Sequence, residues 1–148
     1  MRKFLVAATL AALSVVPSAH VLAAETMTDV ALTVDGANDE WTTTGIKVQQ
    51  GDLVLVAATG AVKIGNFYGQ VSADGAKDGS GLGRLQVKVG SGAPISVGAK
   101  DFFAAPEAGT IKLRVYDTNY ADNSGAFKAM VLLIPHGMIP PAVQAPTE

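Results

Sequence analysis

Cysteine is absent from the 148 residues, histidine occurs twice, and aromatic residues make up 6% of the chain. Without cysteine there are no disulfides, no reactive thiols and no thiolate-ligated metals. His20 falls in the N-terminal leader and His136 close to the C-terminus. A serine nucleophile therefore lacks a base to pair with, and zinc lacks its usual ligands. A carboxylate pair for glycoside cleavage can be drawn among Asp74, Asp78, Asp117 and Asp122, but no feature of their spacing singles out two of them. The chain reads as non-enzymatic. Charged residues are also sparse, at 16%, and no segment shows a convincing amphipathic helix.

What is present begins with an export leader. Met1, Arg2 and Lys3 form a basic head, Phe4 to Val16 an apolar stretch, and Pro17 to Ala24 a small-residue cleavage region. Residues 1–24 are therefore expected to be a signal peptide, with delivery to the periplasm or the medium. The apolar stretch is too short to span a bilayer, and no second run approaches that length. Arg2 and Lys3 leave with the leader, so nine Lys and Arg remain against 13 Asp and Glu, a formal charge of −4. A mildly acidic surface argues against nucleic acid as a partner. One domain is expected over residues 25–134. The segment 135–148, with Pro135, Pro140, Pro141 and Pro146, is expected to be a flexible tail.

Alternation of apolar and polar residues dominates the rest. Ile111, Leu113 and Val115 alternate with Lys112, Arg114 and Tyr116, and Leu85, Val87 and Val89 with Gln86 and Lys88. These are half-buried strands, as is Val30 to Val34. Leu53 to Ala58 and Ala129 to Ile134 are more uniformly apolar, which predicts central strands covered on both faces. Sixteen glycines and turn signals at Gly51-Asp52, Ala73 to Gly83, Gly90 to Pro94 and Pro106 to Gly109 punctuate the strands. The expected fold is all-β, a single jelly-roll-like β-sandwich of about eight strands. Edge strands of a sandwich must be capped or paired, so a homo-oligomer is a physically reasonable state.

The segment from Asp117 to Ala126 holds two carboxylates and two carboxamides in one turn. Asp and Asn are ordinary turn residues, since they bond their own backbone. They are also the hard oxygen donors that Ca²⁺ collects. The EF-hand pattern fails here, because its fifth and sixth positions fall on Ala121 and Asp122; from Asp74 its third and twelfth fall on Ala76 and Leu85. A Ca²⁺ site would therefore span several loops. Asp74 to Gly79 reads as an exposed mobile loop. Trp41 is expected to plug one end of the sandwich, with sugar stacking as the alternative. Phe67, Tyr68 and Tyr120 are better placed for ligand contact.

Trp41, Thr44-Gly45-Ile46, Gly51-Asp52, Val54 to Ala58, Gly60, Leu85 to Gly90, Tyr116-Asp117, Tyr120, Asp122-Asn123-Ser124-Gly125 and Phe127 follow one another in an order that resembles the LecA-type galactose-binding lectins of bacteria. The likeness runs from about Trp41 to Leu133. It implies a small galactose-binding-domain-like sandwich holding one Ca²⁺ that ligates sugar hydroxyls. By position it implies the side chains of Asp117, Asp122 and Asn123 and the carbonyls of Ile64 and Asn119 as metal ligands. Asp117 and Asp122 are the implied sugar contacts, and Tyr120, Tyr68 and Gln70 are the further candidates for ligand contact. Relative to those lectins the interval from Asp117 to Asp122 is two residues shorter, Asp122 replaces an Asn, and the sugar-contacting His has no counterpart between Gly65 and Arg84. The expected function is exported, Ca²⁺-dependent carbohydrate binding with the sugar unspecified; the alternative is an envelope structural or protein-interaction sandwich.

Overall fold

The computed structural model describes residues 25–140 as two antiparallel sheets. Nine strands follow in order: β1 (Thr28–Asp35), β2 (Thr42–Val48), β3 (Leu53–Ile64), β4 (Gly69–Val71), β5 (Leu85–Val89), β6 (Ile95–Ser96), β7 (Lys100–Ala104), β8 (Gly109–Val115) and β9 (Ser124–Ile134). One sheet is ordered β1-β9-β3-β4 with β7 also on β3; the other is β2-β8-β5-β6. The all-β sandwich is as expected. The strands beyond the expected eight are short, as β4 and β6 have three and two residues.

Alternation places each side chain. Val54, Val56, Ala58, Val62 and Ile64 of β3 point inward, as do Leu85, Val87 and Val89 of β5 and Ile111, Leu113 and Val115 of β8. They meet in one core around Phe127, whose side chain is fully buried. Each such burial contributes about 1.5–3 kcal/mol. Central strands β3 and β9 differ from the expectation of cover on both faces. Their inner residues are buried, but the outward Met130 is 45% exposed and Leu55 and Leu132 are half-buried. An antiparallel sheet needs only one covered face, so uniform hydrophobicity here marks an uncovered apolar surface.

Strand β3 sets the geometry of the site. It pairs with β9 along its length, from Leu53↔Ile134 to Lys63↔Ser124. Its other edge is divided between β7, opposite Leu53 to Ala57, and β4, opposite Val62 to Ile64. The end of β3 at Ile64 is thereby held beside the start of β9 at Ser124.

Three further expectations are corrected. Pro135 does not begin a flexible end, because His136–Met138 form a 3-10 turn and the His136 N–H donates to Asp52 Oδ1 at 2.9 Å. Asp52 is buried, and its Oδ2 also accepts from Gln49 N at 2.7 Å, so the Gly51-Asp52 turn ties down the C-terminal segment. Trp41 is not a core plug. Inner positions of β2 are Thr42, Thr44, Ile46 and Val48, so period-two alternation sends Trp41 outward. Asp74 to Gly79 is anchored at its start: Asp74 bridges to Arg84, Asp74 Oδ1 accepts from Ala99 N at 2.8 Å, and Gly75 and Ala76 are buried. The leader 1–24 and residues 141–148 lie outside the described residues.

Candidate functional site

The β8–β9 connection is folded on itself before it meets anything else. Tyr120–Asp122 form a 3-10 turn, capped by Asn119 Oδ1 accepting from Ala121 N at 3.3 Å. Asp117 Oδ1 accepts from the N–H groups of Thr118 at 2.6 Å and Asn119 at 3.3 Å. The Tyr120 hydroxyl is turned inward, donating to Val115 O at 2.9 Å and accepting from Asp117 N at 3.2 Å. Tyr120 thus braces the base of the loop.

Asn123 ties this loop to two others. Its Nδ2 donates to Asp117 Oδ2 at 2.6 Å and to Gly36 O at 3.1 Å, and its Oδ1 accepts from Gly65 N at 3.1 Å. The side chain is buried. Gly65 N–H fixes the orientation of the carboxamide, because the flipped amide would set two donors against each other. Asp122 comes to the same place from the other side. A Cβ on Gly65 would lie 3.0 Å from Asp122 Oδ2. Gly65 has φ +52, so this approach uses both the missing Cβ and the left-handed backbone that glycine tolerates.

The structure therefore brings together Asp117, Asp122, Asn123 and the Ile64-Gly65 end of β3. Asn119 enters through its side chain as a cap. Tyr68 lies on the same β3–β4 turn and lines an open groove of about 420 Å³ with Gln70, Ser72 and Lys77. Phe67, 90% exposed, packs edge-on against Tyr68 with ring centroids 5.2 Å apart. Hydrogen bonds from the Ser80 hydroxyl and backbone, and from Tyr68, hold the Asp78 carboxyl below its ordinary pKa of 3.8. Asp78 is engaged in its own loop by Ser80 N, and Asp74 by Ala99 N of the β6–β7 connection. The partners that sequence reasoning missed are backbone groups, Gly36 O and Gly65 N. Asp35-Gly36 is a turn dipeptide that could have pointed to the first, but its partner lies 87 residues away.

Of the oxygen donors that a hard cation takes, the loop supplies the carboxylates of Asp117 and Asp122, while Asn123 turns its NH₂ to Asp117 and its Oδ1 to Gly65 N. Among the described residues no donor reaches the Asp122 carboxylate, and Asp117 Oδ2 accepts from Asn123 alone. Among the described residues no group of three or more His, Cys, Asp or Glu comes together, so such a site would depend on amide and carbonyl oxygens.

No family model and no curated protein sequence matches the chain. Among solved structures, the EclA N-terminal domain, described as a PllA-like lectin, superposes with a TM-score of 0.62 at 26% identity, covering 70% of this chain and 94% of that one. The chain has the fold of a LecA-like lectin. The resemblance seen in the order of sequence landmarks is thus matched by a likeness of fold in three dimensions. No helix among the described residues is long and apolar enough to cross a membrane.

Proposed function

We propose that this protein is an exported, non-catalytic carbohydrate-binding module of lectin type, and that Ca²⁺ at the Asp117–Asn123 loop is its cofactor. The observation that carries the proposal is the gathering of Asp117, Asp122 and Asn123 of the β8–β9 loop with Gly65 of the β3–β4 turn, two segments far apart in sequence, into one polar cluster. A turn alone does not require it, because the loop already satisfies its own backbone through Asp117 Oδ1, Asn119 and Tyr120.

In this reading the carboxylates of Asp117 and Asp122 would hold the ion with the carbonyls of Ile64 and Asn119, and Asn123 would join them by turning its Oδ1 from Gly65 N toward the ion. A bound Ca²⁺ offers open coordination sites to vicinal sugar hydroxyls. Asp117 and Asp122 accept hydrogen bonds from those hydroxyls, which are strengthened by the carboxylate charge. Asn123, braced by Gly36 and Gly65, keeps Asp117 in position. Tyr68 and Gln70 lie along the adjoining groove, and Phe67 offers an exposed ring face. With no histidine there, sugar selectivity falls to that groove. Calorimetry of the exported protein with Ca²⁺ tests the site, and Asp117→Ala is expected to abolish the binding heat while keeping the fold. Absence of heat with the unaltered protein contradicts the metal proposal.

One observation favours a second reading as a self-associating sandwich. Phe102, Leu55 and Leu132 face outward in one row across β7, β3 and β9, with Ala57 and Met130 in the next. Phe102 is 67% exposed and Met130 45%. Lys100 and Asp29 stand at opposite edges of this face, where a two-fold axis along the strands sets the Lys of one copy near the Asp of the other. Sedimentation of the protein and of Phe102→Lys tests it: a dimer that dissociates in the variant supports association, and a monomer in both excludes it.

A further inference from the structure

The outward face of the β2-β8-β5-β6 sheet carries a cluster that the loop site does not use. Lys112 of β8 stands directly opposite Lys88 of β5, with Arg114 two residues along β8 and opposite Gln86. Lys47 lies on the same face, across from Thr110. Trp41, sent outward by the alternation of β2, reaches over this row. Lys88 Nζ is 4.9 Å and Arg114 Cζ 4.5 Å from the centre of its ring.

Two features make this an unusual surface. Like charges directly opposite each other on antiparallel strands destabilise the pair. Lys88 and Lys112 are such a pair, and no carboxylate of the described residues forms an ion pair with either, or with Lys47 or Arg114. Four of the nine cations that follow the leader thus share one face of a chain whose net charge is negative. Arg114 Nε and Gln86 Oε1 are buried and have no hydrogen-bond partner among the described residues. Arg114 keeps one bond, donated to Asp39 O at 3.2 Å.

We propose that this face is a binding site for an anionic polysaccharide bearing carboxylate or sulfate groups. Neighbouring strands lie about 4.8 Å apart and alternate residues about 6.8 Å apart, so the backbone positions of the four cations form a grid that matches repeated charges on an extended polymer. Half-buried Trp41 adds a ring against which a sugar can lie. Duplex nucleic acid suits the face less well, since four cations are fewer than the phosphate contacts of a typical binder and the protein is acidic overall. An anionic membrane suits it less well too, because no aliphatic side chain projects from these strands for insertion. The site shares no residue with the Asp117–Asn123 loop, and although Arg114 Cζ lies 5.8 Å from the centre of the Tyr120 ring, EDTA and Asp117→Ala separate the two proposals.

The test is retention of the exported protein on immobilised heparin and polygalacturonate, with dextran as the neutral control, for the unaltered chain, Lys88→Gln/Lys112→Gln and Asp117→Ala. The expected result is retention on both polyanions but not on dextran, falling with salt, indifferent to EDTA and to Asp117→Ala. The double variant is expected to bind about tenfold more weakly. It should also melt close to the parent, because relief of the like-charge pair offsets the lost contact of Lys88 with Trp41. The proposal is overturned by any of four results: no retention on either polyanion at low ionic strength, equal retention on dextran, undiminished binding by the double variant, or tighter binding to single-stranded DNA or anionic vesicles than to both glycans.

Discussion

Asn123 donates its side-chain amide to the Asp117 carboxylate across 2.6 Å, while its oxygen accepts the N–H of Gly65. A buried carboxamide with each end committed fixes the spacing of the β8–β9 and β3–β4 connections. Replacement by alanine leaves Gly36 O and Gly65 N unpaired in a buried place. Asn123→Ala is expected to lower stability by about 2–4 kcal/mol, as read from urea denaturation. A loss below about 0.5 kcal/mol would mean that the brace carries no weight.

Asn123→Asp separates brace from metal site. It exchanges the NH₂ donor for a carboxylate oxygen facing Asp117 Oδ2. In EDTA the variant should melt below the parent through like-charge repulsion, and Ca²⁺ should restore most of the difference. Melting that ignores Ca²⁺ places no cation between these two side chains.

Gly65→Ala puts a methyl group 3.0 Å from Asp122 Oδ2 at a φ of +52. The backbone cost is about 1–2 kcal/mol, and the carboxylate must also move. Calcium affinity is expected to fall more than stability does. Calorimetry and thermal melting of the same preparation compare the two, and unchanged affinity would remove Asp122 from the ligand set.

The Asp78 carboxyl is held below its ordinary 3.8, first by the Ser80 hydroxyl and then by the Ser80 backbone and Tyr68. A lowered folded-state pKa means that the stabilisation is complete above the ordinary value and is lost as pH falls through the lowered one. An NMR titration should give Asp78 an inflection below 3.8, and Ser80→Ala should move it back up. An inflection at or above 3.8 in the parent contradicts the capped loop.

The sandwich was legible in the sequence because period-two alternation in β5, β8 and β1 reports a half-buried strand without further information. The outcome for β3 and β9 was less legible. A uniformly apolar strand is the same string whether its second face is covered by the chain or left exposed, and here Met130 and Leu132 remain at the surface. Trp41 was misplaced because the count of residues from Ile46 back to Trp41, rather than its bulk, decides its side of the sheet. His136 was placed in a tail because its anchor, Asp52, lies 84 residues earlier. In the loop, Asp117, Asp122 and Asn123 stood out by composition. Gly36 and Gly65 contribute backbone groups, which no residue type announces.

The central claim is Ca²⁺-dependent recognition of a sugar at the Asp117–Asn123 loop. The most direct measurement is binding of the exported protein to a panel of neutral glycans, in Ca²⁺ and again in EDTA, alongside Asp117→Ala. The account predicts that at least one neutral glycan is bound in Ca²⁺, and that this binding is lost both in EDTA and in the variant. A blank panel in Ca²⁺, or binding that persists in EDTA and in Asp117→Ala, would contradict it.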